Sequence, residues 1–298
     1  MKLALVQNKP RKGDVESNVR ALGDAFAQLA EDPPDLIVAP EAALTGYFLE
    51  GAVYEHALEA GALAERLGNL WRARAGARAV DLAIGFYENA EGAYYNAALY
   101  LEIDACGQRI AHVHRKMFLP TYGVFDEERF LSRGRRLCAF PTRFGKLAML
   151  VCEDAWHALV PTVAALKGAR MLLIPSASPG RGLDGINGEL TSIERWRELL
   201  RGYAIEHGVF VVYASLAGFE GGKGMTGSSC AIDPSGNVLV AAPALGAHLV
   251  RVDLDLGDID IARARLPLLG DLRAVLPDLL LDDELPLPSL RAFEGERS

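Results

Sequence analysis

Three ionisable residues of this 298-residue chain each stand directly after an apolar run. They are Glu41 after Asp-Leu-Ile-Val-Ala-Pro, Lys116 after Ile-Ala-His-Val-His-Arg, and Cys152 after Leu-Ala-Met-Leu-Val. Such runs read as strands, and ligands bind in open α/β sheets at the carboxyl ends of strands, where the loops diverge. A carboxylate, an ammonium and a thiol gathered there have complementary chemistry. Cys152 lies between a strand and a helical pattern, so helix-terminal amides and dipole are expected to lower its pKa and favour the nucleophilic thiolate. Glu41 would take the thiol proton and return one to a leaving amine, a task suited to a partly desolvated carboxyl of raised pKa. Lys116 would hold the oxyanion of a tetrahedral intermediate, with the amide after Cys152, and losing one such donor typically costs about 100- to 1,000-fold in rate. Together they describe amide hydrolysis through a thioester.

These residues need elements to position them. Short apolar runs alternate with helical patterns, without a linker, to about residue 265. Strands are expected at 2–6 and 35–39, separated by a helix that Asp14 caps. In that helix Val15, Val19, Leu22, Phe26 and Leu29 step by 4, 3, 4 and 3 and share one face. A helix over 55–75 precedes a meander of strands at 80–87, 93–101 and 109–114. The second half repeats the theme: strand 146–151, helix 155–167, strand 170–174, and a helix from the Thr191-Ser192-Ile193-Glu194 capping box to His207. Strands at 209–214, 228–232, 238–240 and 248–252 complete a second set. Runs such as 36–39 and 147–151 are apolar on both faces, so each sheet should be covered by helices on one side and by the other sheet on its second. This predicts one catalytic domain over residues 1–265. The Leu- and Pro-rich tail, 266–298, is too interrupted for a long helix and too apolar for water, and should pack on the domain or on a second subunit.

Composition narrows the function. Half the residues are apolar and 23% are charged, as in soluble globular proteins. No apolar run reaches the roughly 18 to 20 residues that cross a bilayer, and the start MKLALVQNKP lacks the pattern of a secretory signal, so a cytoplasmic protein is expected. With 31 Lys and Arg against 39 Asp and Glu the net charge is -8, which disfavours nucleic acid as a partner. The four cysteines are irregularly spaced without a C-x-x-C, and no H-E-x-x-H, P-loop or G-x-S-x-G occurs. No metal or cofactor is expected.

The segments Pro40-Glu41-Ala42-Ala43-Leu44-Thr45-Gly46-Tyr47, His114-Arg115-Lys116-Met117-Phe118-Leu119-Pro120 and Val151-Cys152-Glu153-Asp154-Ala155-Trp156 resemble, in order, the three motifs of the nitrilase or carbon-nitrogen hydrolase superfamily. The resemblance runs from the first strand to about Val252. It implies a four-layer α-β-β-α sandwich that dimerises or assembles further, and a triad of Glu41, Lys116 and Cys152. Residues 116–130, KMFLPTYGVFDEERF, resemble most the glutaminase domain of glutamine-dependent NAD synthetases. In that group Glu127 matches an auxiliary glutamate that orients the lysine and substrate, and Tyr122, Glu153, Trp156 and Ser178 fall at positions like its glutamine-holding residues. An acidic Glu153 suits the α-ammonium of an amino-acid amide. The synthetases carry an ATP-using domain with an S-G-G-x-D-S loop that this chain lacks, so it is expected not to make NAD alone. The expected activity is cleavage of a small, glutamine-like carboxamide. Alternatives are a nitrilase, an N-carbamoyl amino acid hydrolase, an acyltransferase, or a subunit that donates ammonia to a separate synthetase or has only a regulatory task.

Other reactive residues read more simply. Cys106 falls in a turn, while Cys138 and Cys230 lie in or beside strands as small hydrophobes. His157 should be carried around a helix beginning near Asp154, away from the thiol. His112 and His114 alternate on a strand without further metal ligands. Gly222 to Gly227 fits G-x-G-x-x-G but precedes a strand, so it reads as a flexible loop at the pocket rim. Ser176 reads as turn chemistry, and Phe125, like Tyr122, could be a core aromatic.

Overall fold

The computed structural model describes residues 1–183 and 188–281. Its first sheet is built from β1 (Lys2–Gln7), β2 (Leu36–Val38), β3 (Val80–Ala90), β4 (Ala93–Ile103), β5 (Gln108–Arg115) and, returning late in the chain, β14 (His248–Asp253), in the order β14-β1-β2-β3-β4-β5. The second contains β6 (Phe140–Thr142), β7 (Gly145–Met149), β8 (Met171–Ser176), β9 (Phe210–Ser215), β12 (Cys230–Ile232) and β13 (Val238–Ala241), in the order β13-β12-β9-β8-β7-β6. The middle of each sheet is parallel, β1 with β2 and β3 in one, β7 with β8 and β9 in the other. A small hairpin of β10 (Ala217–Glu220) and β11 (Lys223–Thr226) stands apart.

Alternation along the strands explains the layers. Leu3, Leu5, Leu36 and Val38 join Leu147, Met149, Leu173 and Val212 in a core between the sheets. Their neighbours Ala4, Val6, Ile37 and Leu82 face outward, under Val19, Leu22 and Phe26 of α1 (Val15–Leu29) and Leu63, Leu67 and Trp71 of α3 (Ala60–Ala75). On the far side of the second sheet lie α4 (Leu159–Leu166) and α5 (Thr191–His207), with Ala164, Trp196 and Leu200 in the core. The result is the expected four-layer α-β-β-α sandwich.

Several elements differ from the sequence reading. The helix expected over 55–75 is broken: α2 (Val53–His56) ends, and Leu58 donates to the Tyr87 carbonyl and accepts from Asn89 (2.9 and 3.0 Å) before α3 begins. The backbone groups of Leu58 serve a bridge to β3 and are lost to a helix. The helix expected over 155–167 is reduced to 159–166, preceded by a five-residue 3-10 helix, Cys152–Trp156. Pro161 accounts for this, because its ring would clash with the carbonyl of residue 157 in a longer helix. The supposed flexible loop at 222–227 is largely β11, joined to β10 through Gly221 and Gly222 at φ +56° and +79°, which suits a tight hairpin. The tail packs on the domain, as expected, through a 13-residue helix. After α6 (Asp258–Arg265), α7 (Leu268–Leu280) tolerates an internal Pro277, buries Leu269 and packs on α4 and α5. The remaining tail, 282–298, lies outside the described residues.

Candidate active site

Glu41 follows β2 at a point where two sheet elements nearly touch. The Gly85 amide donates to the Pro40 carbonyl (2.9 Å), and a Cβ on Gly85 would lie 2.3 Å from Glu41 Cα. Only glycine allows this approach. The next residue, Ala42, has φ +49°. Lys116 directly follows β5, its amide donating to the Asn96 carbonyl (2.8 Å) and its carbonyl accepting from the Gly134 amide (2.7 Å). Cys152 opens the 3-10 helix with φ +45°, a conformation that costs a non-glycine residue about 1 to 3 kcal/mol and clusters at functional sites. Asp154 ties the last two together: one oxygen accepts from Val151 N (3.0 Å) and meets His114 Nε2 (2.8 Å), while the other accepts from Met117 N (2.9 Å) and Phe118 N (3.1 Å).

These constraints gather a buried ionic cluster. Lys116 Nζ donates to Glu41 Oε1 at 2.9 Å and to Glu127 Oε1 at 2.6 Å, and all three side chains are at most 5% exposed. Asn96 Nδ2 donates to Glu41 Oε1 at 2.6 Å and reaches Glu127 Oε1 at 3.4 Å. The Tyr47 hydroxyl donates to Glu127 Oε1, and the Tyr87 hydroxyl fixes the Tyr47 carbonyl at 2.6 Å. The second oxygens of Glu41 and Glu127 are buried without a hydrogen-bond partner among the described residues.

Burial works against the Lys116 charge, but Glu127 and Glu41 outweigh it and hold the ammonium well above the usual lysine range. Burial and the Glu41 charge push Glu127 up, against the pull of Lys116. The thiol corrects an expectation. Burial, then the Glu41 charge, pushes Cys152 well above the ordinary cysteine range, against Lys116, the Ser176 hydroxyl and the Ala177 amide. A 3-10 turn of five residues, with Cys152 buried at its start, does not offset that desolvation. At rest Cys152 is therefore a neutral thiol.

The other predicted residues divide into two groups. Tyr122 and Glu153 meet, the hydroxyl 3.0 Å from both carboxylate oxygens, and Tyr122 is half exposed. Ser178 and Trp156 are instead joined through Trp196, whose Nε1 donates to Ser178 Oγ (2.8 Å) and whose ring meets that of Trp156 at 4.8 Å. His157 stacks on Phe118. Sequence reasoning missed Asn96, Tyr47, the His114–Asp154 pair, Gly85 and Gly134. It also missed Arg181, whose guanidinium lies 5.1 Å from the Phe125 ring centre and 6.0 Å from that of Tyr122. An Asn and a Gly inside otherwise apolar strands were the available signals, since both are depleted there.

The carbon-nitrogen hydrolase family model matches residues 2–264. The chain is 28% identical over 263 residues to the glutamine-dependent NAD(+) synthetase of Thermotoga maritima, covering 87% of this chain but 42% of that protein, so it spans less than half the length of that relative. It is 25% identical to the citrullinase of Francisella tularensis, covering 93% of this chain and 97% of that one. Among solved structures, a carbon-nitrogen hydrolase from Helicobacter pylori superposes with a TM-score of 0.81 at 25% identity, over 95% of this chain and 99% of that one. A mutant amidase of Nesterenkonia sp. AN1 superposes with a TM-score of 0.73 at 26% identity, over 94% and 97% of the two chains. In it the acetamide moiety of fluoroacetamide is covalently added at the active-site cysteine.

Proposed function

The chain belongs to the carbon-nitrogen hydrolase family, and from that premise we propose that it cleaves a small, glutamine-like carboxamide to carboxylate and ammonia through a thioester on Cys152. One observation carries this reading: a buried ammonium shared by two carboxylates, each with an unpartnered oxygen, with the charge of Glu41 acting on a buried thiol. The thiol is protonated at rest, so its proton passes to Glu41 as sulfur attacks the carbonyl carbon. Lys116 holds the resulting oxyanion, with the amide after Cys152. Glu41 then delivers the proton to the departing nitrogen, ammonia leaves, and a thioester remains. Water, deprotonated by Glu41, adds to the thioester, and collapse releases the carboxylate and returns the proton to sulfur. Glu127, Asn96 and Tyr47 fix Lys116 and Glu41 throughout.

The rim supports an amino-acid amide. Glu153, joined to Tyr122, offers a carboxylate to an α-ammonium, and Arg181 beside Tyr122 offers a guanidinium to an α-carboxylate. Trp156 and Ser178 would line the intervening wall. Two observations favour second readings. The full-length similarity to a citrullinase favours a ureido substrate, and the match to part of a glutamine-dependent synthetase favours an ammonia-donating subunit. A homo-oligomer is part of the proposal.

Ammonia release measured across glutamine, asparagine, simple amides, citrulline, N-carbamoyl amino acids and nitriles separates these substrates. Intact-protein mass spectrometry should detect the acyl adduct, and Cys152→Ala should lower turnover by about 1,000-fold or more. Parental turnover in that variant would refute the mechanism. Glutaminase activity that appears only with an added ATP-dependent synthetase would favour the ammonia-donor reading.

A further inference from the structure

The loop that clamps Lys116 builds a second feature on its outer side. Arg133, Arg135 and Arg136 line, with Arg115, Tyr95 and His112, a groove of about 460 Å³ beside β5, the edge strand of the first sheet. No carboxylate lines it among the described residues. The Arg115 guanidinium is taken up by Glu88 at 2.6 and 3.0 Å and lies 4.2 Å over the Tyr95 ring. Arg133, Arg135 and Arg136 are exposed and make no ion pair among the described residues. Three positive charges, uncompensated among the described residues, thus share one groove on a chain of net charge -8.

The backbone beneath them is fixed. Ser132 N donates to the Tyr94 carbonyl at 2.8 Å and Gly134 N to the Lys116 carbonyl at 2.7 Å, while a Cβ on Gly134 would lie 2.0 Å from the Arg115 carbonyl oxygen. Arginines on either side of that glycine project from a loop anchored to the sheet, which reduces the ordering cost of binding. Their planar forks match phosphoryl and carboxyl oxygens bidentately, and the groove falls within the roughly 300 to 1,000 Å³ range of small-molecule sites. A long polyanion would meet the acidic remainder of the surface once it left the groove.

We infer that this groove binds a small, multiply charged phosphate compound, either a free polyphosphate or a phosphate ester. Because the same loop holds the Lys116 carbonyl, the bound anion would lie directly behind the strand end that carries the ammonium.

Calorimetric titration of the full chain, in low-salt buffer free of phosphate, tests the inference with tripolyphosphate, ADP and inorganic phosphate as probes and sulfate at matched ionic strength as control. Saturable binding of tripolyphosphate or ADP is expected, with sulfate binding weaker. The Arg133→Ala, Arg135→Ala, Arg136→Ala triple variant should bind about tenfold more weakly or worse, since even one charge-assisted hydrogen bond is worth about that factor. The corresponding triple Lys variant should fall between, because it keeps the charge and loses the fork. Tighter binding of ADP would identify a phosphate ester, and tighter binding of tripolyphosphate a free polyphosphate. No saturable binding by any probe, or equal affinity in the folded Ala or Lys variants, would overturn the proposal.

Discussion

The ammonium of Lys116 is useful only while both carboxylates face it, and the two contribute differently. Glu127 is pushed up by burial and by Glu41, so its folded value exceeds its unfolded one. The folded chain then binds more protons than the unfolded chain as pH climbs past the ordinary carboxylate range, and stability contributed below that range is lost as pH rises through the folded value. Glu127→Gln should therefore gain melting temperature relative to the parent as pH is raised from 4 to 8, while kcat falls about 100-fold because Lys116 loses a fixed partner. Melting curves across pH, paired with turnover, check this, and a variant with parental kcat would contradict the assignment. Asn96 bridges both carboxylates through one nitrogen. Asn96→Ala should lower kcat by about tenfold or more with KM little changed, since a hydrogen bond to a charged group is worth about 1.5 to 3 kcal/mol. A change confined to KM would instead give Asn96 a role in binding. Glu41, Lys116 and Cys152 were legible because each interrupts or ends an apolar run. Asn96 and Tyr47 were not, because their value lies in neighbours far away in sequence that only the folded chain brings near. The elevation of the Cys152 thiol was misread because burial, a property of the whole sandwich, overrides a local helix terminus.

At the scale of elements, two glycines fix the strand ends on which the site depends. A Cβ at Gly85 would collide with Glu41 Cα at 2.3 Å, and one at Gly134 with the Arg115 carbonyl at 2.0 Å. Both obstacles are backbone and cannot rotate away. Gly85→Ala and Gly134→Ala should each cost about 1 to 3 kcal/mol of stability, as overpacking generally does, and should reduce turnover more than stability alone explains. Gly61, exposed in α3 with nothing within 4 Å of its Cβ direction, supplies the contrast. Gly61→Ala should add about 0.5 to 1 kcal/mol and leave turnover unchanged. Chemical denaturation and steady-state kinetics on the three variants measure these effects, and equal loss of activity in all three would refute a local positioning role. Periodicity revealed α1 and the central strands, where burial repeats along one element. It failed at Leu58 and residue 157, where a bridge to β3 and a proline three residues into α4 decide the boundary.

The whole molecule explains why residues 41, 116 and 152 converge. Glu41 and Lys116 follow strands of one sheet and Cys152 follows a strand of the other, so only face-to-face packing of the two sheets closes the site. The sequence made that packing readable through runs apolar on both faces. It also pointed to a tail packed on the domain, but not to α7 itself, which gains its helical stability from docking on α4 and α5. That docking buries Leu269 but leaves Leu268, Val275, Leu279, Leu280 and Leu281 exposed, alongside Leu266. Exposed apolar side chains in this number on one helix are costly to leave in water. The proposed homo-oligomer would cover them, and a chain of 32.1 kDa should then scatter light as an integral multiple of that mass at micromolar concentration. Leu279→Glu combined with Leu280→Glu places two charges on the exposed side of α7, where burial would require desolvating them, and should shift the mass toward a single chain with the helical content retained. A parent protein that scatters as a 32.1 kDa monomer would remove the assembly from the proposal, and a variant of unchanged multiple mass would move the interface to another face.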